Sequence, residues 1–138
     1  MIFEFSKEDL LQSRVVTPGW YRVLITDVFQ KPSSGDNPQT KNIYPIAGHI
    51  LFNADNGDKE FEGVPTPPSW NFNDNPNAKG FVAGFFSALE GNAIEPGRRT
   101  LKAAEGKQID VFIENDTYQG RVVNRINHKY RTPKEGVA

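Results

Sequence analysis

The sequence predicts a mostly β domain in which one helix stands between the third and fourth of five strands. Three observations lead there. Ten Pro and twelve Gly punctuate a 138-residue chain that is 12% aromatic, a composition of many turns and short strands rather than of a helical bundle. Several stretches alternate β-branched or aromatic residues with polar ones. One long stretch, after Asn75, keeps a helical period instead. At this length a single core forms, so residues 1–138 read as one domain, with 1–16 leading in and 132–138 as a flexible tail.

The lead-in contains a short helix, with Ser6 as its cap and Asp9 at the reciprocal capping-box position. Thr17-Pro18-Gly19 ends it, and residues 20–29 form the first strand, with Tyr21, Val23 and Ile25 on one face. Residues 31–42 have no apolar side chain besides proline and predict an exposed loop. The second strand, 44–53, puts Ile46, Ile50 and Phe52 in one alternation and ends at Asn56-Gly57, a hairpin signal that leads into a third strand at 59–64. An extended aromatic linker, 65–74, carries Trp70 and Phe72. The helix opens at Asn75 with Pro76 in its first position, repeats Val82, Phe85, Phe86 and Leu89, and stops at Gly91. Its Gly80 and Gly84 predict close packing against a sheet. A fourth strand, 107–114, sets Ile109, Val111 and Ile113 against Asp110, Phe112 and Glu114, and a fifth runs over 118–130. This order, β-β-β-α-β-β, is that of a five-stranded OB-fold barrel; an open antiparallel sheet with one helix across it satisfies the same string.

Charge is unevenly spread. Residues 1–97 carry 7 basic and 12 acidic side chains, and residues 98–138 carry 9 and 5, so a net of −1 conceals halves of −5 and +4. The fifth strand concentrates the excess: Arg121, Arg125, Lys129 and Arg131 share one parity, opposite a largely apolar one. Phe112 lies on the polar parity of the neighbouring strand, and Trp70 and Phe72 sit in a polar linker. Exposed aromatics beside cations suit single-stranded nucleic acid, whose bases stack while its phosphates are neutralised without sequence readout. Arg98, Arg99 and Lys107 are weaker phosphate candidates.

Catalysis finds little support, and the chain reads as non-enzymatic. With no Cys, thiolate chemistry, disulfides and Cys-ligated metals are excluded. His49 and His128 lack any metal-ligand spacing, residues 55–58 lack the oxygen ligands of a calcium loop, and no phosphate loop or nucleophile elbow is present. No cofactor and no metal are expected. A Mg²⁺ nuclease would need converging acids, whereas Asp110 and Glu114 lie ~13 Å apart along an extended strand. The acidic start of the chain is unlike a signal peptide, and no apolar run is long enough to span a membrane, so a cytoplasmic protein without membrane partners is expected.

The succession Pro18-Gly19-Trp20-Tyr21-Arg22-Val23, Asn73-Asp-Asn-Pro-Asn-Ala-Lys-Gly-Phe81, Gly106-Lys107-Gln108-Ile109-Asp110-Val111 and Tyr118-x-Gly-x-x-x-Asn124-x-Ile126 resembles small phage-encoded single-stranded DNA-binding proteins with an OB-fold, over about residues 17–131. The resemblance implies a sequence-tolerant role in phage replication or recombination, in the host cytoplasm, with replication or recombination proteins as further partners and a monomer or homodimer as the working unit. The chain departs from many such binders in closing on Arg131-Thr-Pro-Lys-Glu-Gly-Val-Ala138, which argues against recruitment through an acidic tail. The rival expectation is a protein-binding adaptor or virion component that uses the same aromatic and basic face.

Overall fold

The computed structural model describes residues 1–133; the end of the predicted tail, 134–138, lies outside the described residues. The chain is mostly β, a six-stranded antiparallel sheet with one main helix, and the sheet is not closed into a barrel. Helix α1 (Lys7–Gln12) precedes β1 (Gly19–Val28), β2 (Lys31–Pro32), β3 (Asn42–Asn53), β4 (Asn71–Asn73), α2 (Lys79–Glu90), β5 (Gln108–Tyr118) and β6 (Arg121–Arg131). The order across the sheet is β2-β3-β1-β5-β6, with β4 also pairing to β3.

The local signals at the helices hold. Ser6 Oγ accepts from the Asp9 amide at 3.1 Å while Asp9 accepts from the Ser6 amide at 2.9 Å. Asn75 accepts from the Asn77 amide and caps a 3₁₀ turn (Pro76–Ala78) that runs into α2. Gly91 ends α2 at φ 82°, a left-handed conformation that glycine adopts without a Cβ penalty.

Four expectations are corrected. Residues 59–64 form turns, not a strand, because Asn53, Asn56 and Asp58 side chains accept from nearby amides and coil the chain after β3. Only the end of the segment reaches β3, the Ile50 amide donating to the Val64 carbonyl at 2.9 Å and the Gly63 amide to the Ile50 carbonyl at 2.8 Å; a continuous strand forms at β4, inside the segment read as a linker, with Tyr44 opposite Phe72. The 31–42 loop is exposed at its tip but closed at its base by β2, where Lys31 pairs with Ile43. Gly80 and Gly84 face solvent, with nothing within 4 Å of an added Cβ, so they do not mediate close packing. Close approach occurs at Gly48 instead: a Cβ there would lie 2.2 Å from the Leu24 carbonyl oxygen of β1.

The two sheet faces differ in cover. Tyr21, Val23, Ile25, Ile46, Ile50, Ile109, Val111, Ile113 and Ile126 form the buried face, under α2 and the 61–72 segment. Phe52, expected with Ile46 and Ile50, lies on the other face: a register shift between Arg22 and Val23 inserts Leu51 and turns Phe52 toward Arg22. No helix covers that outer face among the described residues.

Candidate nucleic-acid interface

The outer face is built by register. Trp20 of β1 stands opposite Phe112 of β5, their rings 5.4 Å apart and inclined at 72°, an edge-to-face pair. Next to it runs a row in which Phe52, Arg22, Asp110 and Arg131 face one another across four strands. Further along β5, Glu114 faces Arg125 and Tyr118 faces Arg121. Beyond Ile113 the β5–β6 hairpin has no third strand, so Tyr118 and Arg121 ride on a projecting two-stranded ribbon, Tyr118 highly exposed.

Two cations cover the aromatic pair. The Arg131 guanidinium lies 4.4 Å from the Trp20 ring centroid, and Lys129 Nζ lies 5.4 Å from that of Phe112. Lys129 reaches this position because β6 bulges: Ile126 pairs with Ile113 and Tyr130 with Val111, which leaves three residues of β6 opposite Phe112. Two of them are surplus, so the parity of the strand survives and Lys129 stays on the outer face. His128, within the bulge, takes φ 55° and turns inward, stacked 4.7 Å from Phe81.

Acids temper the basic stripe. Arg125 pairs with Asp116 at 3.1 Å, Lys129 with Glu114 at 2.9 Å, and Arg131 with Asp55 at 2.5 Å. Arg121 alone of the four makes no ion pair with a described residue. Five cations and four carboxylates therefore meet on this face, counting Arg22 and Asp110, a net of +1. The Arg125–Asp116 and Lys129–Glu114 pairs are largely solvent-exposed, where each is worth ~0–1 kcal/mol, so a phosphate can replace the carboxylate partner; Arg131 is more covered, its Nε buried. At the centre, Arg22 Nε and Asp110 Oδ1 are 2.5 Å apart with Asp110 fully buried; Asp110 Oδ2 makes no hydrogen bond and lies 3.8 Å from Arg131 Nε.

Not all predicted site residues converge. Arg121, Arg125, Lys129, Arg131 and Phe112 share the outer face. Trp70 and Phe72 do not: they are 0% and 2% exposed and belong to the core on the opposite side of the sheet. There Trp70 Nε1 donates to Tyr130 Oη at 2.8 Å, and Phe72 packs 5.0 Å from Phe85. A polar linker hides its aromatics this way because β4 pairs with β3 and carries them inward. Burial pushes the Tyr130 hydroxyl far above its ordinary pKa and holds the His128 imidazole below its own. Arg98, Arg99 and Lys107 gather on the α2 side, around a separate groove floored by Phe86 and Leu89.

Sequence reasoning passed over Trp20 and Tyr118. Both have a legible signal: Trp20 alternates against buried Tyr21 and Val23, and Tyr118 shares the parity of Phe112. Asn124, a motif residue, is structural; its side chain accepts from the Val16 amide at 2.9 Å and donates to the Val16 carbonyl at 3.0 Å, tying the lead-in to β6. No three His, Asp or Glu side chains converge as metal ligands among the described residues, and no helix is long and apolar enough to cross a membrane. No protein-family model matches the chain, and no curated protein matches it in sequence.

Proposed function

We propose that this protein binds single-stranded DNA, without enzymatic activity and with little sequence preference, on the outer face of the β3-β1-β5-β6 sheet. The observation that carries this reading is the half-buried Trp20–Phe112 pair on the outer face, capped by Arg131 and Lys129. Bases stack on Phe112, on Trp20 once Arg131 swings to a phosphate, and on Tyr118 at the ribbon tip; Arg121, Arg125, Lys129 and Arg131 neutralise phosphates. The pairings β1–β3, β1–β5 and β5–β6 suit an opened OB-fold arrangement; the role in phage replication or recombination, in the cytoplasm, rests on the resemblance in sequence alone.

The acid pairing sets the expected salt response. Four phosphates displacing free counterions give a slope of about −2.8 for log K against log salt, at roughly −0.7 each. A carboxylate released by a phosphate takes up a cation in return, so only Arg121 contributes in full and the slope falls to about −0.7. Titration of Trp fluorescence with an oligonucleotide of ~30 nucleotides measures it. Equal affinity for duplex of the same length refutes the reading, as does cleavage of the oligonucleotide during long incubation with Mg²⁺ refute its non-enzymatic part. The near balance of charge on the face favours one rival, a protein-binding adaptor or virion component, which predicts no retention of single strands even at low salt.

A further inference from the structure

Two features are left uncovered among the described residues. The first is the N-terminal arm. Met1, Ile2, Phe3 and Phe5 are all strongly exposed, Phe3 and Phe5 at 71% and 68%, and they stack only on each other, 6.4 Å apart. Soluble proteins seldom leave several large apolar side chains together in water unless something covers them. The arm is also acidic, with Glu4, Glu8 and Asp9 against Lys7. It is anchored just behind: α1 is capped at Ser6, Leu11 packs on the core, and Arg14 donates to the Glu60 carbonyl at 3.0 Å.

The second is the groove beside the C-terminal half of α2. Its volume is about 390 Å³, its floor is apolar with Phe86 and Leu89, and its rim carries Arg98, Arg99 and Lys107 against the single carboxylate of Glu90, a net of +2. Arg99 is held by Glu90 at 2.6 Å; Arg98 and Lys107 are exposed and pair with no described side chain. This groove lies on the helix side of the sheet, away from the aromatic face proposed for DNA.

We infer that the groove receives the N-terminal arm of a second copy of this chain, Phe3 and Phe5 entering over Phe86 and Leu89 while Glu4 meets Arg98 and Lys107. The features complement each other in both respects that govern recognition. An apolar floor with a basic rim matches an aromatic segment with acidic flanks. Five extended residues reach ~17 Å, far enough to leave one molecule and enter another. One-way donation joins copies into an open chain, and mutual donation closes a two-fold pair. Either way association leaves the DNA face free, so neighbouring copies on one strand reinforce each other.

Three proteins test this by sedimentation velocity: the full chain, a variant lacking residues 1–5, and R98E/K107E, each checked for folding by circular dichroism. The full chain is expected to gain mass with concentration and to lose it as salt rises, while each variant stays monomeric. Mixed together, the two variants are expected to form a 1:1 complex, since one keeps its groove and the other its arm. A full chain that is monomeric at every concentration overturns the inference. So does R98E/K107E that associates as the parent does, since arms would then pair with arms, and so does a mixture that stays monomeric. None of these outcomes depends on DNA.

Discussion

Replacing Asp110 by Asn removes one charge from the centre of the outer face while keeping its shape. Asp110 is completely buried and the Arg22 side chain is 8% exposed, so water screens their 2.5 Å contact little. Breaking a buried pair by removing one partner's charge costs ~3–5 kcal/mol, because the attraction is lost while the remaining charge stays desolvated. The Asn oxygen still accepts from Arg22 Nε, which places the cost near the lower end, ~3 kcal/mol. Arg131 Nε, 3.8 Å from the same carboxylate, then faces Arg22 with less negative charge between them. For a domain of this size ~3 kcal/mol lowers Tm by roughly 10 °C. Urea unfolding monitored by fluorescence measures the loss as a lower midpoint at unchanged slope. The double variant R22M/D110L supplies the companion result: two well-packed apolar side chains cost less than either single change. A D110N midpoint within ~1 kcal/mol of the parent, or a double variant worse than both singles, would show that the pair is not desolvated as described.

Trp20→Ala removes a stacking surface worth ~1–3 kcal/mol per base; single-strand affinity should fall about tenfold in fluorescence anisotropy while duplex binding is unaffected, and an unchanged affinity removes Trp20 from the site. Gly84→Ala should raise stability by up to ~1 kcal/mol, since the helical position is exposed and a Cβ meets nothing; a thermal melt that falls instead reveals a packing role. His128 has its pKa lowered by burial, so the folded state binds its proton less readily than the unfolded chain. Stability is therefore full above the ordinary value of 6.5 and declines as pH falls below it. His128→Asn should flatten the difference between urea midpoints at pH 7.5 and pH 5.5, and an equally steep loss in that variant assigns the pH dependence elsewhere.

Local chemistry was legible wherever a few neighbouring residues decide the outcome. The Ser6 capping box, the Asn75-Pro76 helix entry, the Gly91 stop and the alternation of β5 all depend on side chains and amides within a turn or strand of one another. Segment 59–64 shows the limit of the same reasoning. Lys-Glu-Phe-Glu-Gly-Val alternates as a strand would, yet the Asx turns of Asn53, Asn56 and Asp58 coil its first residues, only Gly63 and Val64 hydrogen-bond to β3, at Ile50, and the continuous strand forms further on, at Asn71–Asn73. Alternation alone does not say where along an edge the pairing becomes continuous.

The candidate site divides along the same line. Four cations of β6 were readable in the sequence as one stripe because side chains alternate along an extended backbone, and they meet Phe112 because the bulge adds two residues and so keeps that parity. Only the tertiary structure decided that Trp20 completes the aromatic pair, that Trp70 and Phe72 belong to the core, and that Asp55, Glu114 and Asp116 hold three of the four cations. Those contacts join residues far apart in the chain, and cross-strand register, which brings them together, is a property of the assembled sheet rather than of any one strand.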